Sequence, residues 1–332
     1  MHSVMQSPLL PAIAFTFILA LCLVRLLCSD LLARLVIDVP NNRSLHTVPT
    51  PRTGGIGLML AAAMGWLLHA GGMLAVQAAL AAALALIFLI DDVRSLPVLP
   101  RFAAQFAAAI AFVWTSGPYP VLLLAPLVLG IVWSSNLYNF MDGSNGFAGG
   151  MTLSGFASYA VAAHLSGEPG LAMMAAIIAA AAAGFLFWNF DPARIFLGDA
   201  GSIPLGFLAA TLGITGWGRG VWPFWLPILV FSPFAVDATV TLIKRVRRGE
   251  KLSHAHRQHY YQRLIQSGWS HGRMALASYA LMLAAAASAL ALRTSPPVAV
   301  TALLLAWAGI YAAIAVYVDR RWHQTKSPSA GR

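Results

Sequence analysis

The chain has 332 residues, of which 59% are hydrophobic and only 10% charged, with a mean hydropathy of +0.74. Soluble domains carry about 45–50% apolar and about 25% charged residues, so a soluble enzyme is excluded first. The net charge of +10 would suggest a nucleic-acid partner in a soluble protein, but its placement along the chain argues for membrane topology and for no nucleic acid.

Taken in order, the apolar runs separated by polar or Gly/Pro breaks give eleven candidate spans, near 8–27, 55–70, 73–90, 102–116, 119–135, 147–165, 170–188, 203–217, 222–243, 274–292 and 297–318. At roughly 20 residues per span, the expected fold is all-α: a polytopic transmembrane helix bundle of ten or eleven spans, forming one domain over 1–332. The break at His69–Gly72 is weak, which leaves the count at ten if the second and third runs fuse. Ala and Gly are frequent in the runs, and small residues let helices approach closely in lipid. A homodimer through such faces is compatible with the sequence. MHSVMQSPLL lacks the basic region of a cleavable signal peptide, so the first run is expected to stay as an anchor. Cys22 and Cys28 show no metal-ligand spacing and read as small apolar residues.

With eleven spans, nineteen of the 21 Lys and Arg residues fall on one side, including Arg320, Arg321, Lys326 and Arg332 of the tail 319–332. Arg219 and Arg293 alone fall on the other. The positive-inside rule then places the N-terminus outside, in the bacterial periplasm, and the tail in the cytoplasm. The charge rule does not require the remaining polar residues to follow the same asymmetry, yet they do. The inside connections hold VPNNRSLHTVPTPRTGG, LIDDVRSLP, NLYNFMDGSNG, WNFDPARIFLGDAGS and the large loop 244–273. The layout is that of one active site assembled from several cytoplasmic loops.

Asp91 and Asp92 end the third run. Adjacent carboxylates at a membrane boundary repel and lose solvation, so they call for a cation, either a divalent metal or Arg94; a solvated acidic pair closing a helix is the plainer reading. Asn136, Asn139 and Asp142, at three-residue steps, would line one helix face, followed by Gly143, Asn145 and Gly146. Hard oxygen groups there suit Mg²⁺ or the sugar and phosphate of a nucleotide-linked substrate, although a helix C-terminus with Gly stops explains the glycines. In Phe196-Leu-Gly-Asp199-Ala-Gly-Ser202, small neighbours admit a phosphate or metal to the N-terminus of the next helix, unless Asp199 and Ser202 only cap that helix. The large loop sets His254, His256 and His259 among arginines including Arg257, complementary to a diphosphate; part of its charge is topogenic or headgroup-facing. Arg43, His46 and Arg52 sit in a Pro/Gly-punctuated loop that could meet a lipid phosphate or simply connect two spans.

The combination resembles the polyprenyl-phosphate N-acetylhexosamine-1-phosphate transferase family, also known as family 4 glycosyltransferases. The likeness runs from His46-Thr-Val-Pro-Thr-Pro51-Arg52-Thr-Gly54-Gly55 through the Asp pair, Asn136-x-x-Asn139-x-x-Asp142-Gly-x-Asn145-Gly and Phe196-x-Gly-Asp199-x-Gly-Ser202 to the His-rich loop, and so covers nearly the whole chain. It implies an undecaprenyl-phosphate oxygen attacking the β-phosphate of a UDP-N-acetylhexosamine, with UMP leaving, on the cytoplasmic face of the bacterial inner membrane. It further implies Mg²⁺, with Mn²⁺ as an alternative ion, held by Asp199 with Asn139 as helper. Asp91 and Asp92 would position or deprotonate the lipid phosphate. Asp142 is expected on the nucleotide or catalytic side, Phe196 against uracil, and His254, His256, Arg257 and His259 on the diphosphate and sugar, with Asn136 and Asn145 nearby. Arg43, His46 and Arg52 are expected on the lipid-phosphate side. In the last loop, His256-Arg-Gln-His259-Tyr-Tyr261-Gln262 departs from the H-x-H-H cluster usual in members using UDP-GlcNAc or UDP-MurNAc-pentapeptide. It is similar to the O-antigen-initiating branch that uses a 6-deoxy sugar such as FucNAc. Two other classes are weighed: a secondary transporter should place polar groups near the midplane of broken spans, and a CDP-alcohol phosphotransferase should show a D-G-x-x-A-R run, which is absent here.

Overall fold

The computed structural model describes residues 9–29, 36–40, 45–69, 75–251 and 256–326. In chain order the elements are α1 (Leu9–Leu27), β1 (Ile37–Asp38), β2 (Thr50–Pro51), α2 (Gly54–His69), α3 (Ala75–Arg94), α4 (Val98–Ser116), α5 (Val121–Phe140), α6 (Phe147–Leu165), α7 (Pro169–Asn189), α8 (Asp199–Gly218), α9 (Trp225–Val230), α10 (Ser232–Arg247), α11 (Tyr260–Gln266), α12 (His271–Ala291) and α13 (Pro297–Lys326). Among the described residues, ten of the eleven apolar runs fall on one helix each. Eight helices among the described residues are long and apolar enough to cross a membrane, and α2 is a shorter apolar helix. The protein is a polytopic helical membrane protein.

The ninth run departs from expectation, dividing into α9 and α10 at Phe231–Ser232. Pro233 lies in the first turn of α10, where its missing N–H and fixed φ suit a helix start but cannot continue α9. The Ser232 hydroxyl donates to Leu229 O at 2.6 Å, using one of the carbonyls the break frees.

Helices α7 and α8 form the centre of the bundle and are enclosed over most of their length, whereas α13 packs against little. Small residues make the central packing close. A Cβ on Gly55 would lie 2.5 Å from Gly201 Cα, so α2 and α8 meet backbone to backbone. A few buried polar contacts tie the helices inside the apolar layer: Tyr138 to Thr152 at 2.8 Å, Ser134 to Gly206 O at 2.8 Å and Gln77 to Thr215 at 3.1 Å. The antiparallel pair β1–β2, with Ile37 opposite Pro51 and Asp38 opposite Thr50, folds the first long connection back over one end of the bundle. Meeting there are the C-termini of α3, α5 and α7 and the N-termini of α2, α4, α8 and α12.

Candidate active site

That end of the bundle encloses a cavity of about 440 Å³ lined by residues from four of the five polar connections: Asp38, His46 and Arg52 from the β1–β2 segment, Asp142, Ser144 and Asn145 after α5, Asn189, Phe196 and Asp199 between α7 and α8, and His256, Gln262 and His271 beyond α10; Asp91 and Asp92 of the α3–α4 connection do not line it. Of the residues expected from sequence, His46, Arg52, Asp142, Asn145, Phe196, Asp199 and His256 share this cavity. Arg43 and His254 lie outside the described residues.

The Asp pair is divided between two neighbours. Asp92 is buried, and its two carboxylate oxygens accept the backbone N–H groups of Asp199 (3.2 Å) and Ala200 (3.0 Å). It thereby caps α8, whose own N-cap, Gly198, supplies no side chain. A carboxylate is favoured at this positive helix end. Gly198 has φ +74°, and a Cβ there would lie 2.3 Å from Arg52 O, so only glycine lets the loop reach Asp92. Arg52 donates to the Asp92 carbonyl at 2.8 Å and pairs with its carboxylate at 3.3 Å. Asp91 accepts Leu96 N–H at 2.7 Å and pairs with Arg101 at 3.0 Å. The cations the pair requires are therefore Arg52 and Arg101, whereas Arg94 forms no ion pair among the described residues. Arg101 reads in sequence only as a topology signal, because its partners are brought to it by the packing of α3 and α8.

Arg101 also donates to Asp199 at 3.1 Å, and Asn139 donates to the other Asp199 oxygen at 2.7 Å and to Ser202 at 3.1 Å. Asn139 thus orients Asp199. The expectation of one helix face for Asn136, Asn139 and Asp142 is corrected: α5 ends at Phe140, leaving Asp142 in the turn beyond. Asn136 faces α4, donating to Gln105 at 2.6 Å and to Val132 O at 2.7 Å; it does not line the cavity. Burial first, and then repulsion from Asp199 and Asp92, holds the Asp142 carboxyl well above the usual carboxylate range. Several carboxylates at one cavity wall suit a divalent cation. Among the described residues no three His, Cys, Asp or Glu side chains form a complete metal cage. Two carboxylates, Asp142 and Asp199, face the cavity and could hold an ion such as Mg²⁺, which takes one or two carboxylates and completes its shell with water and substrate phosphate.

Also lining the cavity, His46 meets the Phe196 ring edge-on with centroids 4.9 Å apart and lies 3.9 Å from Asp38. Asn145 donates to Asp191 at 2.8 Å, and the other Asp191 oxygen accepts Gly272 N–H at 2.9 Å, fixing the start of α12. His271 bridges Ser144 (2.8 Å) and Leu45 O (3.3 Å). Since Leu45 O can only accept, Nε2 of His271 carries a proton.

In the large loop, His259 precedes α11 and is buried, 3.3 Å from Asp237. The Asp237 carboxylate accepts Tyr260 N–H (2.8 Å) and Tyr261 N–H (3.0 Å), capping α11 as Asp92 caps α8. The His256 ring lies tilted against that of His259, with ring centroids 4.9 Å apart. Burial, aided by His259 and Arg245, lowers the pKa of His256 to about 4, so the imidazole is neutral at pH 7. Arg257 is exposed and does not line the cavity. Sequence reasoning misses Asp38, Asn189, Gln262 and His271 as lining residues, and Asp237 and Asp191 as supports. Only Asp237, a carboxylate inside an apolar run, carries a signal that could have flagged it.

A family described as glycosyl transferase family 4 matches residues 73–217. The chain is 30% identical over 280 residues to a probable undecaprenyl-phosphate N-acetylglucosaminyl 1-phosphate transferase of Bacillus subtilis, covering 78% of each protein. It is 31% identical over 308 residues to a decaprenyl-phosphate N-acetylglucosaminephosphotransferase of Mycobacterium tuberculosis, covering 77% of this chain and 74% of the relative. A phospho-N-acetylmuramoyl-pentapeptide-transferase of Moorella thermoacetica is 33% identical over 182 residues, covering 54% and 55%. With its loop order and its similarity along most of its length to such enzymes, the chain belongs to the polyprenyl-phosphate N-acetylhexosamine-1-phosphate transferases, glycosyl transferase family 4.

Proposed function

We propose that the protein transfers an N-acetylhexosamine 1-phosphate from a UDP-sugar to undecaprenyl phosphate, with Mg²⁺, on the cytoplasmic face of the bacterial inner membrane. The observation that carries this reading is the single cavity in which carboxylates, Arg52 and the His46–Phe196 aromatic wall meet at the end of an apolar bundle. The lipid-phosphate oxygen attacks the β-phosphorus; the bond from that phosphorus to the bridging oxygen breaks, and UMP leaves with the bridging oxygen. A phosphate monoester is already largely ionised near pH 7, so positioning and charge neutralisation do most of the work. Arg52, tied to Asp92, presents a cation to phosphate. Arg101 and Asn139 hold the Asp199 carboxylate in one orientation. Phe196 and His46 offer an aromatic wall to the uracil. His256, neutral and partly exposed to the cavity, donates or accepts at the sugar or diphosphate. Asp199 and Asp142 would hold Mg²⁺, which, when bound, neutralises the developing charge on the phosphate oxygens.

For the sugar, Tyr261 and Gln262 supply neutral groups where the H-x-H-H members have imidazoles. The Tyr261 hydroxyl donates to Phe140 O at 3.1 Å, and Gln262 lines the cavity. This supports a 6-deoxy-N-acetylhexosamine such as FucNAc and a role in starting O-antigen or a related surface polysaccharide. The names of the Bacillus and Mycobacterium relatives favour GlcNAc as the second reading. The test is product formation by purified protein with undecaprenyl phosphate, Mg²⁺ and a panel of UDP-GlcNAc, UDP-QuiNAc, UDP-FucNAc and UDP-MurNAc-pentapeptide. A 6-deoxy sugar used best is the expected result; preference for UDP-GlcNAc keeps the chemistry and removes the reading of the last loop.

A further inference from the structure

Away from the cavity, the ends of α1 and α7 gather two cations at one aromatic ring. The guanidinium of Arg25, in the last turn of α1, lies 5.6 Å from the centroid of Trp188, and that of Arg194, in the connection after α7, lies 5.5 Å from it. The indole is fixed: its Nε1–H donates to Leu21 O at 3.0 Å. The Arg194 connection is fixed too, because Arg194 N–H donates to Trp188 O at 2.9 Å. Both arginines are exposed, and among the described residues neither makes an ion pair with a carboxylate. Two like charges are therefore held within 5.6 Å of one ring centroid, and among the described residues no carboxylate pairs with either.

The surroundings identify what supplies the anion. Phe187, 67% exposed, meets Trp188 edge-on at 5.0 Å, and Leu26 beside Arg25 is 56% exposed. These apolar side chains sit at the ends of two membrane-length helices, with Arg25 in the last turn of one and Arg194 just past the end of the other. An indole with arginines at the end of a span belongs at the bilayer interface, and guanidinium forks match phosphate oxygens. The cationic end of α1 also complements its own helix dipole, but that explains Arg25 alone and not the convergence of Arg194 on the same ring.

We propose that Arg25, Arg194 and Trp188 form a binding site for the phosphate of an anionic phospholipid, with Phe187 and Leu26 against its acyl chains. Arg194 of this site lies two residues before Phe196 along the connection that leads to Asp199. The site does not depend on the identity of the sugar substrate.

The experiment is native mass spectrometry of the purified full-length chain in detergent, titrated with phosphatidylglycerol and separately with phosphatidylcholine. The native chain is expected to keep a phosphatidylglycerol adduct under activation that strips phosphatidylcholine. The Arg25→Gln/Arg194→Gln variant is expected to bind phosphatidylglycerol at least about 10-fold more weakly, with its phosphatidylcholine adducts unchanged. If that variant is not monodisperse, Arg25→Lys/Arg194→Lys decides, since it keeps the charges and the topology signal but loses the planar forks, and it should bind several-fold more weakly. Unchanged phosphatidylglycerol affinity in the deciding variant overturns the site. Displacement of the lipid by millimolar inorganic phosphate also overturns the lipid assignment, because it would make the pair a soluble-anion site.

Discussion

Asp92 shows how a residue legible as functional can act through another. Its carboxylate holds the first N–H groups of α8 and so sets where the Asp199 side chain starts. Asp92→Asn keeps one acceptor and loses the charge facing Arg52, and is expected to cost about 1–3 kcal/mol of stability, read as a lowered unfolding midpoint in detergent, along with reduced turnover. His256 gives a pH signature. Its pKa falls from 6.5 to about 4 on folding, so below pH 6.5 the unfolded chain takes up a proton that the folded chain refuses. Stability present above pH 6.5 is then lost as the pH falls toward 4, and His256→Gln should flatten this part of the profile. At this scale the sequence brings forward several of the carboxylates and histidines that meet at the cavity, but neither His271 nor Asp38, and not their pairings. Asp92 and Ala200 are 108 residues apart in sequence, and nothing local in the sequence announces their contact. Asn136 is the converse case: its spacing puts it with Asn139, yet packing against Gln105 on α4 claims its amide.

Among the elements, α11 depends most on a distant partner. It has only seven residues, too few to be stable alone, and it is held by Asp237 of α10 at its N-terminus and by its capping box, His259 with Gln262. Asp237→Ala should free the Tyr260 and Tyr261 amides and remove a cap at a cost of about 1–3 kcal/mol. Hydrogen exchange would show those two amides exchanging faster while those of α7 do not change. The close approach of α2 to α8 gives a second check. Gly55→Leu must push Gly201 and the Leu197 carbonyl aside and is expected to destabilise by about 1–3 kcal/mol, visible as a loss of monodisperse protein on size exclusion. The helices themselves are largely legible, because apolar runs bounded by Gly, Pro and charges have few alternatives in lipid. The division of the ninth run at Ser232-Pro233 is less so: hydropathy averages across the proline, and only its lack of an N–H marks the break.

Over the whole molecule, the placement of polar residues on one side of the bundle conveys more than any single motif. Connections that are far apart in sequence converge on one cavity because alternate ends of successive spans share a membrane face. The tail helix α13 reaches the same end, where Asp319 pairs with Lys244 and Arg263, both at 2.6 Å. What the sequence leaves open is which loops meet directly, since pairs such as His271 with Leu45 depend on how the helix ends are arranged around α7 and α8. The central claim is phosphoglycosyl transfer at Asp199. Its most direct test is UMP release from a UDP-N-acetylhexosamine by the purified chain, with and without undecaprenyl phosphate and Mg²⁺, alongside Asp199→Asn. Release is expected only when both are present, and about 10²–10³-fold slower in the variant. Release without the lipid phosphate, or a variant as fast as the native chain, would contradict it.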